Sequence, residues 1–201
     1  MNRLRAMSNS TPVYTWATIP AANTVNGWTV FVSDVGVGGS FWTSNGTAWY
    51  PVGGVVALAV SGANVANTGD TNENTVATVT VPAGIMGANG AVEVIPLWDF
   101  TNNSNTKTMK VKFGGSVVYS IATTTTTSCQ MQYIVRNANS ASSQVAQASS
   151  GSSGMGAVAS SLLTGAIDTS AAVNITLTAQ CNTAGTDTIN LRGYIVRLIK
   201  A

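Results

Sequence analysis

The chain has 201 residues, enough for one β-sandwich with an appended module or for two small domains. Hydrophobic residues make up 45% and charged residues only 8%, which excludes ordinary charge-rich disorder and disfavours exposed helices built on Glu and Lys. The net charge of +2 comes from dispersed basic residues, too few for a nucleic-acid footprint, which needs a larger basic patch with interleaved aromatics.

Met1 to Thr11 is polar and carries Arg3 and Arg5. It reads as a flexible anchoring arm or a frayed terminus, and it lacks the apolar core of a signal peptide. No apolar run approaches the ~20 residues of a membrane-spanning helix.

Residues 1–54 are expected to form an amino-terminal module, an aromatic β-hairpin unit. Trp28 to Val32 reads as a strand. Phe41 to Ser44 and Ala48 to Val52 flank Asn45-Gly46, a strong hairpin signal because both residue types tolerate positive φ. Four indoles lie here, and a core this small seldom encloses so many. Trp16, Trp28, Trp42 and Trp49 are therefore expected at an interface with sister copies or a partner protein, with a sugar-stacking platform as the alternative. Residues 55–66, apolar and then Gly/Asn-rich, are expected to be a linker, either a linking strand or a helical turn.

Residues 67–201 read as an antiparallel β-sandwich, jelly-roll-like, making the protein all-β. Thr75 to Val81 is a strand ending at Pro82, and residues 82–90 are a glycine-rich loop. Ala91 to Trp98 is a strand in which Pro96 implies an edge or a bulge. Met109, Val111 and Phe113 alternate with Lys110 and Lys112, and Gly114-Gly115 turns the chain. Cys129 to Val135 alternates again, with Ile134 breaking the polar side. The tract 138–156 is a long loop or a weak strand near Ser143 to Ala148. Val173 to Cys181 is the cleanest alternating strand. Thr188 to Lys200 closes the domain, with Ile189, Leu191, Ile195, Ile199 and Arg197 on one side. Turn signals at this spacing make a two-sheet sandwich. Strands so poor in charge risk edge-to-edge pairing, which oligomerisation would cover.

The absence of histidine removes the commonest general base and metal ligand. Cys129 and Cys181 are too far apart in sequence for a zinc-binding pair and are expected as free buried thiols, a cross-strand disulfide being the alternative. No phosphate-cradling glycine motif is present. Carboxylate pairs are the one catalytic option left. Glu93 is expected to be partly buried with a basic partner such as Lys110, or at a subunit contact. Asp99, beside Trp98, reads as a strand end rather than a sugar site. The expectation is a chain without catalytic residues, metal or cofactor.

Val30-Phe31-Val32-Ser33-Asp34-Val35-Gly36, followed by Gly39 to Val52 (GSFWTSNGTAWYPV), resembles a segment of tail-fibre and related virion proteins of tailed bacteriophages. Asn67 to Glu73 (NTGDTNE), Val79 to Gly84 (VTVPAG), Gly87 to Gly90 (GANG) and Arg136 to Gln144 (RNANSASSQ) resemble the β-sandwich of phage fibre and receptor-binding proteins. The resemblance implies homotrimers, an amino-terminal part attached to the virion and an outward-facing carboxy-terminal domain. It transfers no binding residue. The expected function is a trimeric short tail fibre or receptor-binding appendage that contacts a host cell-surface glycan. The alternatives are a head fibre, capsid decoration or collar protein making only protein contacts, and a glycan-cleaving enzyme. Asn, Ser and Gln suit neutral sugar hydroxyls because they both donate and accept. The candidate receptor-binding residues are therefore Asn102, Asn103 and Asn105 in one loop and Asn137, Asn139 and Gln144 in another, against the reading that both are solvated turns. Membrane insertion and nucleic-acid binding are not expected.

Overall fold

The computed structural model describes residues 10–148 and 161–200. Most of the expected amino-terminal arm lies outside them, as do residues 149–156 of the Ser/Ala/Gln/Gly tract. The described residues are all-β apart from a single 3-10 turn, Ala22–Thr24. They divide into two compact units, Met1–Gly54 and Val55–Ala201.

The first unit holds one four-stranded sheet in chain order: β1 (Val13–Tyr14), β2 (Thr29–Val32), β3 (Ser40–Ser44) and β4 (Trp49–Pro51). β1 pairs parallel with β2, and the other pairs are antiparallel. Val30, Val32 and Trp42 share the buried face, as period-two alternation requires. The β3–β4 hairpin is present, but its turn spans four residues rather than two. Asn45 Oδ1 accepts hydrogen bonds from the Thr47 and Ala48 amides, both at 2.9 Å, and Asn45 N donates to Ala48 O. Gly46 alone of the Asn-Gly pair takes positive φ, +85°. Asn45 works through its side chain, an Asx turn, rather than through its backbone.

The second unit begins at β5 (Val55–Ser61) and β6 (Val65–Thr68), so the stretch expected as a linker is strand. Both pair antiparallel with β16 (Thr188–Ile199). Of the two alternatives, a linking strand or a helical turn, the structure has strand, with apolar residues on both faces of β5. The remaining strands are β7 (Asn74–Val81), β8 (Ala91–Phe100), β9 (Lys107–Phe113), β10 (Ser116–Thr123), β11 (Ser128–Gln130), β12 (Tyr133–Asn137), β13 (Gln144–Ala146), β14 (Leu163–Gly165) and β15 (Val173–Cys181).

One sheet runs β7-β15-β9-β10. The other runs β5/β6-β16-β8-β11/β12, extended by β13 and β14. The chain crosses between the sheets at β6–β7, β7–β8, β8–β9, β10–β11, β14–β15 and β15–β16, and the orders β6-β16-β8-β12 and β7-β15-β9-β10 are those of an antiparallel jelly roll. Met109, Val111, Phe113 and Leu177 from one sheet and Trp98, Phe100, Tyr133 and Leu191 from the other are buried between them. The Tyr119 and Tyr133 rings meet across the sandwich at 5.4 Å, and Asn67 Nδ2 donates to Ala179 O at 3.0 Å.

Two sequence readings change. Pro96 lies in the central strand β8, not at an edge. Its carbonyl accepts from Met131 N at 3.2 Å, so its missing N–H faces the break between β11 and β12, where no ladder partner is required. In β16 a register shift between Leu191 and Gly193 reverses the facing of the strand. Ile189 and Leu191 point into the core, whereas Ile195, Arg197 and Ile199 fall on the outer face with Ile95 and Glu93.

Candidate functional site

Four loops gather at one end of the sandwich: residues 69–73, 101–106, 124–127 and 182–187. Backbone hydrogen bonds join them. Gly69 N donates to Asp187 O at 2.8 Å, Asn182 N to Thr106 O at 3.0 Å and Phe100 N to Thr127 O at 2.9 Å.

Beneath the loops lies a buried cation. Lys107 falls on the same side of β9 as Met109, Val111 and Phe113 and has no solvent exposure. A buried ammonium is tolerated only when its donors are met. Lys107 Nζ donates to Asn103 Oδ1 at 2.6 Å, Asn105 O at 2.8 Å and Thr124 O at 3.3 Å. Asn103 in turn donates through Nδ2 to Asp187 Oδ1 at 2.5 Å. The bond from Asn103 holds the Asp187 carboxyl below its usual range against the opposing effect of burial, helped by Asn105 and the Lys107 charge. The exposed rim of three of the loops consists of Asn102, Ser104, Thr124 to Thr127 and residues 182–186, all uncharged, and the fourth loop, residues 69–73, adds exposed Thr71 and Asn72 beside the half-buried carboxylates of Asp70 and Glu73. The result is a platform at the loop end that presents amides and hydroxyls over most of its surface, with the carboxylates at one side.

The structure separates the six amides expected to bind a receptor. Asn102 is exposed on the platform. Asn103 and Asn105 are half-buried and serve Lys107, so they shape the platform from below. Asn137 and Gln144 are 5% and 3% exposed at another part of the unit. Asn137 Nδ2 donates to Gly87 O and Thr169 Oγ1, and Gln144 Nε2 donates to Asn137 Oδ1 and Ile167 O. Their donors satisfy carbonyls that the loops leave buried, and neither side chain reaches an outside ligand. Asn139 is exposed with φ +56°, a left-handed conformation that Asn tolerates better than most residues. Lys107 and Asp187 were missed, although the signal was there: each falls on the apolar side of its strand pattern.

Every carboxylate is engaged in the fold. Glu73 accepts Lys110 Nζ at 2.6 Å, Lys112 Nζ at 2.5 Å and Thr178 Oγ1 at 2.9 Å. Burial works to raise its pKa, but these donors outweigh it and hold it at about 2. Glu93 is buried on the outer face of β8 and bonds to Gln132 and Arg197; the expected partner, Lys110, belongs to Glu73. Asp99 accepts from Asn190 Nδ2 at 2.6 Å and Arg192 Nε at 2.5 Å. Trp98 points to the opposite face, into the core, so the two do not combine. Asp34, Asp70 and Asp168 accept bonds from Trp16 N, Asn72 and Asn74, and Ser170. Both cysteines are free thiols, Cys181 buried and Cys129 half-buried. Burial pushes the Cys129 thiol up to about 11, away from the thiolate a nucleophile needs. Among the described residues no group of three or more His, Cys, Asp or Glu side chains is placed to hold a metal ion, and no helix is long and apolar enough to cross a membrane.

The four tryptophans of the first unit also separate. Trp42 and Trp49 are 0% and 6% exposed and form its core, each with its indole N–H bonded, to Ser40 Oγ and Pro20 O respectively. Neither is available to a partner. Trp16 is half-buried, its ring 4.8 Å from that of Trp42. Trp28 is half-exposed.

No protein-family model matches this sequence, and no curated protein matches it. Among solved structures it has a likeness to the CBM2 module of the evolved Dit of Lactobacillus casei BL23 phage J-1. That likeness has a TM-score of 0.33 and 10% identity, over 62% of this chain and 69% of that chain. It is too slight to carry an argument about fold or function.

Proposed function

We propose that this chain is a non-enzymatic virion protein of a tailed bacteriophage, a homo-oligomeric appendage of the short tail-fibre or receptor-binding kind. The first unit mounts it on the particle, and the loop end of the jelly roll meets a neutral glycan of the host surface. The resemblance of the 30–52 segment to tail-fibre proteins supports the virion setting, and the expected homotrimer rests on the same resemblance.

The observation that carries the binding reading is the loop end, where three of the four loops present an uncharged rim. That rim offers only groups that both donate and accept hydrogen bonds or present small apolar surface, which suits sugar hydroxyls. The ammonium beneath it is fully engaged and rigidifies the rim, which lowers the ordering cost of binding. A glycosidase needs a carboxyl held protonated as its general acid. Each carboxylate is already held by donors of the fold itself, which supports a binder rather than a hydrolase.

The test applies the full chain to host cells and to an array of neutral oligosaccharides, with the variant Asn102→Ala/Ser104→Ala/Asn182→Ala alongside. Binding by the parent and its loss in the variant, without release of shorter oligosaccharides, is the expected outcome. Equal binding by the variant would remove the platform from the account. Oligosaccharide release would replace the binder with an enzyme.

A further inference from the structure

The network beneath the loop end also holds the parts of a covalent reaction. Lys107 Nζ lies 2.6 Å from Asn103 Oδ1. The Asn103 carboxamide carbon is one C=O bond beyond that oxygen, so it lies at most about 3.8 Å from the amine, close to the ~3–3.5 Å of a near-attack contact. Asn105 N donates to the same Oδ1 at 3.0 Å, where it stabilises negative charge that develops on the oxygen. On the other side of the carboxamide, Asn103 Nδ2 donates to Asp187 Oδ1 at 2.5 Å. Asp187 is 2% exposed, and its Oδ2 is buried without a hydrogen-bond partner, which leaves that oxygen open to a proton. A nucleophilic amine, an oxyanion donor and an acid–base group thus converge on one carboxamide.

We propose that Lys107 Nζ and Asn103 Cγ join in an isopeptide bond with release of ammonia. The Nζ–Cγ bond forms and the Cγ–Nδ2 bond breaks. The Lys107 ammonium gives up two protons. One ends on Asp187, which becomes neutral, and the other ends on Nδ2, which leaves as ammonia. No oxidant, reductant or co-reactant takes part. The carboxamide bridges the two charged groups and gives the first proton a path, since Oδ1 accepts from Nζ while Nδ2 donates to Asp187. Burial drives the reaction, because it discharges an ammonium and a carboxylate that are both withdrawn from water. Asp187 is held below its usual range, so the neutral pair is a minor state and closure is slow. The chain therefore folds with the ammonium network described above and links afterwards, once, upon itself. The bond fastens residues 103–107 and does not depend on the glycan reading.

The experiment follows the intact mass of the full chain from purification through prolonged incubation, for the parent, Lys107→Met and Asp187→Asn, and maps the product with trypsin. The parent should lose about 17 Da, one ammonia, and trypsin should cut after Lys110 but no longer after Lys107. Lys107→Met should keep the mass its sequence gives, and Asp187→Asn should convert at least about 100-fold more slowly. If a variant fails to fold, the parent's mass and cleavage pattern decide the matter alone. A parent that keeps its full mass would overturn the proposal. So would the same loss with Lys107 still cleavable, which marks a succinimide at Asn103, or a gain of about 1 Da from hydrolysis of the carboxamide. Conversion of folded Asp187→Asn at the parent's rate would strike Asp187 from the reaction.

Discussion

Replacing Lys107 by Met should destabilise the sandwich by about 3–4 kcal/mol. The side chain is wholly buried, so Met keeps the packing of the stem and removes the charge and its donors. Three charge-assisted hydrogen bonds disappear. Asn103 Oδ1 keeps one donor, the Asn105 amide at 3.0 Å. The carbonyls of Asn105 and Thr124 each lose the ammonium. At about 1–1.5 kcal/mol per lost bond the sum is roughly 3–4 kcal/mol, within the range of about 3–5 kcal/mol for breaking a buried ionic network. Hydrogen exchange in peptides from β9, β15 and β16 reads this without interference from the first unit. Asp187→Asn combined with Lys107→Met should cost less than the two changes added together, because Asn103 couples both groups. A loss below about 1 kcal/mol, or strict additivity, would show that the ammonium does not organise the loop end.

Acid should weaken the second unit through Glu73. Its folded-state pKa, about 2, lies below the ordinary 4.5, so the stability it provides is complete above pH 4.5 and is lost as pH falls toward 2. Asp70, Asp168 and Asp187 shift in the same direction. Glu73→Gln should therefore flatten part of the acid-induced fall in melting temperature, and an unchanged profile would contradict the ion-pair assignment. Gly69→Ala should cost about 3 kcal/mol in thermal unfolding, because the added Cβ would sit 2.1 Å from Gly185 O at φ +62°. Asn137→Ala should cost about 2 kcal/mol as the buried oxygen and carbonyls it serves lose partners, while Asn102→Ala should stay within about 0.5 kcal/mol of the parent. Equal stability of these two variants would return Asn137 to the surface.

Local alternation made most of the sandwich legible. Met109 to Phe113 and Val173 to Cys181 each display one apolar and one polar side, and in the structure those sides are core and surface. The pattern failed where both sides of a strand are apolar. Val55 to Val60 read equally as a linking strand or a helical turn, and only the pairing with β16 decides for strand. It failed again at β16 itself, where one register shift exchanges the two faces beside Gly193, a glycine inside a strand that marks a bulge or a close backbone approach.

The site was less legible, because residue type states what a side chain can bond and not what it bonds. Asn137 and Gln144 have the chemistry of a sugar ligand and spend it on carbonyls of their own loops. Trp42 and Trp49 have the chemistry of interface anchors and fill the core of a small unit. The exposed face of that unit belongs instead to Val13, Phe41 and Val52, which ordinary strand alternation conceals.

The central claim is that this chain is mounted on a virion and points its loop end outward. Electron cryomicroscopy of purified phage particles that carry it tests this most directly. Several copies around one axis should stand at the particle periphery, with the loops of residues 101–106 and 182–187 facing away from the body. Particles without the chain, or a chain whose four-loop end is buried in the particle, would contradict the account.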